Sequence, residues 1–186
     1  MVIVIVVVAL VVVFGLFVVV GFNKLRRADI AAQEALGGID VQLTRRADLI
    51  PNLVETVKGY AGHERAVLDD VTTARAAATS AAAGDDVAAK AAAQQQLDGA
   101  LVRVLAVAEA YPDLKASANF ASLQTQLAET EDRLSFARQY YNDATATLNT
   151  LVATIPWMLL TGMAGVSKRD FYEAPAGSTA PPTVSF

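Results

Sequence analysis

The apolar run over residues 2–22, VIVIVVVALVVVFGLFVVVGF, constrains the fold of this chain more than any other feature, because it contains no charged or strongly polar side chain. As a helix rising about 1.5 Å per residue, it reaches roughly 31 Å, the thickness of the hydrocarbon core of a bilayer. Its β-branched residues favour a strand in water, but a single segment in lipid satisfies its backbone only as a helix. The run therefore predicts a transmembrane anchor over residues 1–23. Residues of this anchor include Val2, Phe14, Phe17 and Phe22.

A cleaved signal peptide is the alternative interpretation of this run. Such peptides carry basic residues ahead of a shorter apolar stretch and end at small residues. No basic residue precedes Val2, and the FNK sequence at the end of the run is unlike a cleavage site, so a retained anchor is favoured. Lys24, Arg26 and Arg27 follow directly. The positive-inside rule then predicts a single pass with the N-terminus outside, the remainder in the cytoplasm and these three cations among lipid headgroups.

Composition narrows the chemistry that the rest of the chain can perform. The net charge of −4 gives no indication of nucleic-acid binding. Cysteine is absent, which excludes disulfide, iron–sulfur and thiol chemistry, and a single histidine, His63, cannot form a multi-histidine metal site. The His63-Glu64 pair lacks the second histidine one turn later that a metalloprotease motif requires. We therefore expect neither an active site nor a cofactor.

Apolar periodicity predicts long helices after the anchor. The anchor helix continues to Ile50, where Pro51 predicts a kink or a break because it lacks a backbone N–H. A second helix is predicted over residues 51–80, with Tyr60 on its apolar side. A third is predicted over residues 86–110.

The ends of the later helices are marked by capping residues. Asp85 or Asp86 is the predicted N-cap of the third helix, and Asn119 that of the fourth. The fourth helix has a coiled-coil-like seam in which an apolar residue recurs every seven positions. This seam consists of Phe120, Leu127, Leu134, Tyr141, Leu148 and Ile155, and the acidic residues Glu129, Glu131 and Asp132 are predicted on its exposed side.

Two polar groups are candidate interfaces. The first surrounds Pro51 and consists of Asp40, Arg45, Arg46, Asp48, Asn52, Glu55 and Lys58; the second consists of Arg138, Tyr141 and Asn142. Each has two interpretations: a contact surface for a partner or a second copy, or structural ion pairs and hydrogen bonds within the fold. Arg45 with Asp48, and Glu55 with Lys58, have the three-residue spacing of ordinary helix pairs.

The sequence WMLLTGMAGV over residues 157–166 is apolar but too short to cross a membrane. Core packing, contact with the membrane interface and self-association are all open interpretations. Trp157 favours the membrane interface, where tryptophan is enriched. Trp157 and Leu159 are therefore further candidate interface residues.

Residues 39–60, IDVQLTRRADLIPNLVETVKGY, resemble the signature of the LemA family, as do the single preceding anchor and the sequences YPDLK at 111–115 and RLSFARQYYN at 133–142. The resemblance implies an all-α fold in a bacterial plasma membrane, with a transmembrane helix over residues 1–23 and a long antiparallel four-helix bundle over 24–170. Composition adds a short flexible tail over 171–186. The resemblance implies no catalytic residues. A relative associated with magnetosome membrane formation indicates a role in membrane organisation.

These patterns predict a non-enzymatic, membrane-anchored helical scaffold that self-associates and organises membrane or recruits partner proteins. A membrane-tethered sensor or adaptor in envelope stress or signalling is the alternative. The expected partners are membrane lipids, further copies of the chain, and other membrane or cytoplasmic proteins.

Overall fold

The computed structural model describes residues 1–173, and every regular element in that range is helical. The elements are α1 (Val2–Ala61), α2 (Arg65–Ala82), α3 (Val87–Ala110), α4 (Pro112–Lys115), α5 (Ala118–Ala153), a 3-10 turn (Trp157–Leu160) and α6 (Thr161–Ala164). The predicted all-α fold class is confirmed. The predicted tail, apart from residues 171–173, lies outside the described residues.

Helix α1 does not break at Pro51, so the predicted helix boundary at this residue was wrong. Pro51 is exposed within the helix, which ends ten residues later at Ala61. A proline inside a helix costs about 3 kcal/mol. Apolar side chains are buried on both sides of it, at Ile50, Leu53 and Val57. Burial of each contributes roughly 1.5–3 kcal/mol, which outweighs the cost of the proline. Tyr60 is half exposed instead of lying on the buried side.

The N-cap prediction is correct for α3 and wrong for α5. Asp86 is the N-cap of α3 as predicted, and its carboxylate accepts hydrogen bonds from the backbone N–H groups of Ala88 and Ala89. Asn119 is not an N-cap, because α5 begins at Ala118 and the Ser117 carbonyl already accepts a helical hydrogen bond.

The seam of α5 is shorter than predicted. Phe120, Leu134, Tyr141 and Leu148 are fully buried. Ile155 is 78% exposed, because α5 ends at Ala153, before Pro156. The heptad repeat therefore stops with the helix.

The chain forms two compact units, with boundaries inside α1 and α5. Unit 1 comprises residues 1–36 and 140–171; unit 2 comprises residues 37–139 with the described residues 172 and 173. The core of unit 2 draws apolar side chains from α1, α2, α3, α4 and α5. Its largest members include Ile50, Leu53, Leu68, Leu97, Leu114, Phe120 and Leu123.

The core of unit 1 is smaller, and most of the apolar surface of its first helix lies outside it. Its buried members are Leu25, Ala32, Leu148, Leu160, Ala164 and Val166. Every residue from Met1 to Leu16 is exposed. Within the part of the chain that the structure describes, α1 is the one helix long and apolar enough by itself to cross a membrane.

Candidate functional site

A four-residue ion cluster lies within unit 2. Arg46 lies on the buried stripe of α1, three residues after Leu43 and four before Ile50. Its side chain is therefore buried. Arg46 Nη2 lies 2.6 Å from Asp98 on α3, and Arg46 Nη1 lies 2.6 Å from Glu131 on α5. Arg138 also pairs with Glu131, at 2.9 Å. Two cations and two anions therefore compensate one another.

Asp98 is the acid of this cluster whose pKa is raised. Burial raises the pKa of its carboxyl above the ordinary value of 3.8, and the Arg46 guanidinium acts in the opposite direction. The neighbouring Glu131 carboxylate raises this pKa further. Arg46 is therefore the main group that stabilises the charged form of Asp98.

An apolar groove of about 400 Å³ begins at this cluster. Its walls come from α3 and α5, and its charged end is formed by Arg46, Asp98 and Glu131. The remaining lining residues are Leu101, Val102, Leu105, Gln124, Leu127 and Ala128. Val102 is 65% exposed, and Leu105 is also exposed. The groove thus offers apolar surface to a ligand or to another protein segment.

A second buried polar set lies in unit 2. Lys90 is completely buried; its ammonium pairs with Asp40 and donates to the backbone carbonyls of Ala81 and Ala82, each at 3.2 Å. The Tyr172 hydroxyl donates to Gln94 Oε1 at 2.8 Å.

Tyr172 keeps its proton more firmly than an exposed tyrosine does. Burial raises the pKa of this phenol to about 12, while Arg138 acts to lower it. Asp98, Glu131 and Asp40 reinforce the effect of burial, because negative carboxylates oppose formation of a phenolate.

Unit 1 carries a separate aromatic site on α1. The chain bends by 87° between α5 and the segment 157–164. We call residues 155–164 the apolar turn. The Trp157 ring stacks on Phe17, with centroids 5.9 Å apart and planes 16° apart. Lys24 Nζ lies 4.6 Å from the centroid of the Trp157 ring, a cation–π distance. A Cβ at Gly21 would collide with Leu160, so the absence of a side chain permits this approach.

Arg169 ties the chain beyond the apolar turn to both long helices of unit 1. Its guanidinium donates to Asp29 Oδ1 on α1 through Nη2 at 2.8 Å and Nε at 3.0 Å. Its backbone N–H and carbonyl form two hydrogen bonds with the Asn149 side chain on α5, each 2.9 Å long. Asp170 follows Arg169, and its backbone carbonyl accepts a hydrogen bond of 2.7 Å from the Tyr141 hydroxyl.

The predicted interface residues have different environments. In unit 2, Arg46 is buried and Arg138 is partly buried, both in the ion cluster, whereas Arg45, Asp48, Asn52 and Glu55 are exposed. Glu55 pairs with Lys58 at 3.1 Å, as its spacing predicts. In unit 1, Tyr141 is buried, Asn142 and Trp157 are partly buried, and Leu159 is 74% exposed.

The anchor and flank residues also differ in exposure. Val2 and Phe14 are exposed, whereas Phe17 and Phe22 pack against the core of unit 1. Lys24 and Arg27 are exposed, and Arg26 pairs with Asp29 at 3.3 Å.

The polar residues that sequence reasoning missed are buried or partly buried. Glu131 was predicted on the exposed side of α5, but it is partly buried and pairs with Arg46 and Arg138. Asp98, Lys90, Gln94 and Tyr172 were not singled out. A signal was available for Lys90, which lies seven residues before the buried Leu97, two full helical turns along one face. Such a position needs a counter-charge.

These sites combine paired charges with exposed apolar surface. Within residues 1–173, no three His, Asp or Glu side chains are grouped closely enough to hold a metal ion. The acids of the ion cluster are neutralised by guanidinium groups that cannot accept a proton. The groove and the apolar turn instead present apolar surface beside fixed charges.

Comparison with known proteins places this fold in a family. A model described as "LemA family" matches residues 35–186, which is most of the chain. The chain belongs to the LemA family. The matched range includes the ion cluster, the groove and the apolar turn, and it begins after the apolar run of α1.

Among curated proteins, this LemA-family chain is similar to magnetosome proteins. It is 36% identical over 81 residues to magnetosome proteins MamQ 1 and MamQ 2 of Paramagnetospirillum magneticum. It is 33% identical over 81 residues to magnetosome protein MamQ of Magnetospirillum gryphiswaldense. Each match covers 43% of this chain and 30% of the relative. The matched part is thus less than a third of each relative's length.

Proposed function

We propose that this chain is a non-enzymatic, membrane-anchored helical scaffold that self-associates. One observation carries the membrane part: all side chains from Met1 to Leu16 are exposed although nearly all are large and apolar. Burial of such a side chain contributes roughly 1.5–3 kcal/mol, so water is a poor solvent for this surface and lipid a good one. The similarity to magnetosome proteins supports a membrane localisation for this chain.

The orientation and the bundle are further parts of this proposal. Lys24, Arg26 and Arg27 follow the apolar run, which supports an outside N-terminus in a single-pass arrangement at the bacterial plasma membrane. The short connections between α1, α2 and α3 support an antiparallel four-helix bundle in unit 2, because brief turns join antiparallel neighbours.

Self-association is supported by the groove and by tethering. Anchoring confines copies to two dimensions, which raises their effective concentration, so weak contacts can assemble many copies. The test is the molar mass of the full-length protein in detergent, measured by light scattering over a range of concentrations. A mass that rises with concentration to a defined oligomer is expected. A monomer at every concentration would remove the self-association proposal.

A matched pair of variants locates the contact. Val102→Asp places a charge in the groove, whereas Val41→Asp places the same charge at a comparably exposed site of unit 2 outside the groove lining. If copies associate through the groove, Val102→Asp lowers the oligomer mass and Val41→Asp leaves it unchanged. Equal effects would place the contact elsewhere.

An adaptor role is the second candidate, and the groove favours it too. The Arg46 Nε donor is buried and has no hydrogen-bond partner among the described residues, so a partner carrying an acceptor beside an apolar segment would fit this end of the groove. A photo-crosslinking amino acid at position 102 in cells separates the two roles. Crosslinks to the same chain support the scaffold, and crosslinks to one defined other protein, absent with the probe at position 41, support the adaptor.

A further inference from the structure

The apolar turn is seated along the last turns of the apolar run of α1. Its contacts fall on Phe17, Gly21 and Lys24, spaced four and three residues apart, which is one face of a helix. These positions cover about 10 Å of helix axis. The turn therefore lies beside the part of α1 where the uncharged residues end and the basic residues begin.

The outer side of this turn is apolar and uncovered. Ile155 is 78% exposed, Leu159 74% and Met163 63%, whereas Leu160 and Ala164 face the core. Residues 144–167 contain no charged side chain, and Lys168 follows them directly. Exposed Lys168, Lys24 and Arg27 thus lie in the segments that flank the apolar surface.

We infer that the apolar turn inserts its exposed side chains into the boundary between headgroups and hydrocarbon of the same bilayer that α1 crosses. This inference rests on the proposed membrane anchoring and adds a second, shallow point of lipid contact. A lipid surface is the occupant because the turn is continuous, through Phe17, with the uncovered apolar surface of residues 1–16. The indole and the nearby cations match the chemistry of this boundary, where aromatic rings and anionic headgroups meet.

Trp157 is the one tryptophan in the chain, so its fluorescence reports on the turn without any label. Full-length protein is reconstituted into vesicles of phosphatidylcholine and phosphatidylglycerol. Separate preparations carry bromine near the headgroup end or near the middle of the acyl chains, since bromine quenches indole at short range. Flotation of the same vesicles tests anchoring independently, and iodide in the buffer tests contact with water.

The expected result is loss of most Trp157 emission with bromine near the headgroup, a smaller loss with bromine at the chain centre, and little quenching by iodide. Floating vesicles in which iodide quenches and neither bromolipid does would overturn the inference and leave the anchoring intact. Protection from both iodide and bromine would mean that protein, and not lipid, covers the indole, which also overturns the inference. Chain that does not float would overturn the proposed anchoring itself.

A double variant tests the exposed side chains directly. Leu159→Ser with Met163→Ser removes apolar surface but spares the buried Leu160 and Ala164. It is expected to reduce bromolipid quenching of Trp157 and to increase iodide quenching. Ile30→Ser is the matched control, because Ile30 is an exposed apolar residue on α1 beyond the basic flank. Unchanged quenching in the double variant would show that these side chains do not insert.

Discussion

Unit 2 buries charge, whereas unit 1 exposes apolar side chains. In unit 2, Arg46 and Lys90 are 6% and 0% exposed, and each has acidic partners within its own unit. In unit 1, large apolar side chains are exposed over residues 2–16 and again over the apolar turn. Buried charge is tolerated only with partners, and exposed apolar surface only with a suitable solvent. The buried charges of unit 2 are therefore neutralised within the unit, whereas unit 1 exposes apolar surface that water solvates poorly.

The largest effect is expected from leaving the buried Lys90 without its counter-charge. Asp40→Ala should lower the free energy of unfolding by about 3–5 kcal/mol, because an uncompensated buried charge remains. Denaturant unfolding in detergent, followed by circular dichroism, measures this. Adding Lys90→Met to Asp40→Ala removes the charge as well and should restore most of the loss. A double variant as unstable as the single one would contradict the role of the pair.

A smaller loss in the free energy of unfolding is expected when the ion cluster loses Arg46. Arg46→Met leaves Asp98 and Glu131 without their shared cation, but both acids remain about one-third exposed. Solvent screening then reduces the expected cost to about 1–3 kcal/mol. Arg45→Met, one position away and exposed, should change the free energy of unfolding by less than about 0.5 kcal/mol. If the two variants are equally stable in denaturant, Arg46 does not hold the cluster.

In unit 1, the sharpest test is the close approach at Gly21. Gly21→Leu forces Leu160 and Trp157 away and should cost about 1–2 kcal/mol, with a red shift of Trp157 emission as the ring loses contact. Gly15→Leu is the control, because a Cβ there meets nothing within 4 Å. Thermal unfolding and emission spectra in detergent measure both. An unshifted spectrum for Gly21→Leu would mean that the turn is not held on α1.

The smallest effect concerns the proton on Tyr172. At neutral pH, Tyr172→Phe removes the hydrogen bond to Gln94 and should cost about 0.5–1.5 kcal/mol. An unfolded tyrosine loses its proton near pH 10 and this folded one near 12, so the unfolded state binds fewer protons between these values. The free energy of unfolding of the unsubstituted protein should then fall with rising pH across this window, relative to the variant.

Phenolate absorbance provides the direct measurement for Tyr172. The difference between the titrations of the unsubstituted protein and Tyr172→Phe should show one phenol ionising at about pH 12. A difference spectrum centred near pH 10 would mean that Tyr172 is not buried in solution. The exposed Tyr60→Phe is the control: it retains Tyr172, so its unfolding should keep the same pH dependence as the unsubstituted protein.

The sequence predicted that the chain after the anchor is helical because its apolar stripes are long, although the predicted second helix over residues 51–80 is divided between α1 and α2. Leu43, Ile50 and Val57 recur every seven residues, and all three are buried. The same stripes explain the error at Pro51: a local rule for proline was applied without the packing energy that both flanks contribute. Asp86 was predictable since an N-cap depends only on neighbouring backbone groups.

The candidate sites were less predictable because they join residues far apart in the chain. Arg46 could be placed on a buried stripe, but its partners Asp98 and Glu131 depend on how three helices pack. Similarly, composition made Trp157 a candidate interface residue. Its position beside Gly21, however, depends on the 87° bend after α5. Periodicity specifies which face of a helix is buried and does not specify the residue opposite it.

The paired hydrogen bonds between Asn149 and Arg169 have a consequence for chain entropy. They join residues 20 positions apart, so everything between them, including Trp157, is a closed loop. Closing a flexible loop of that length costs about 2–3 kcal/mol of conformational entropy. Hydrogen bonds to the Asn149 amide and the Asp29 carboxylate already order this loop in the folded chain. The loop can therefore dock on a surface with little further loss of conformational entropy.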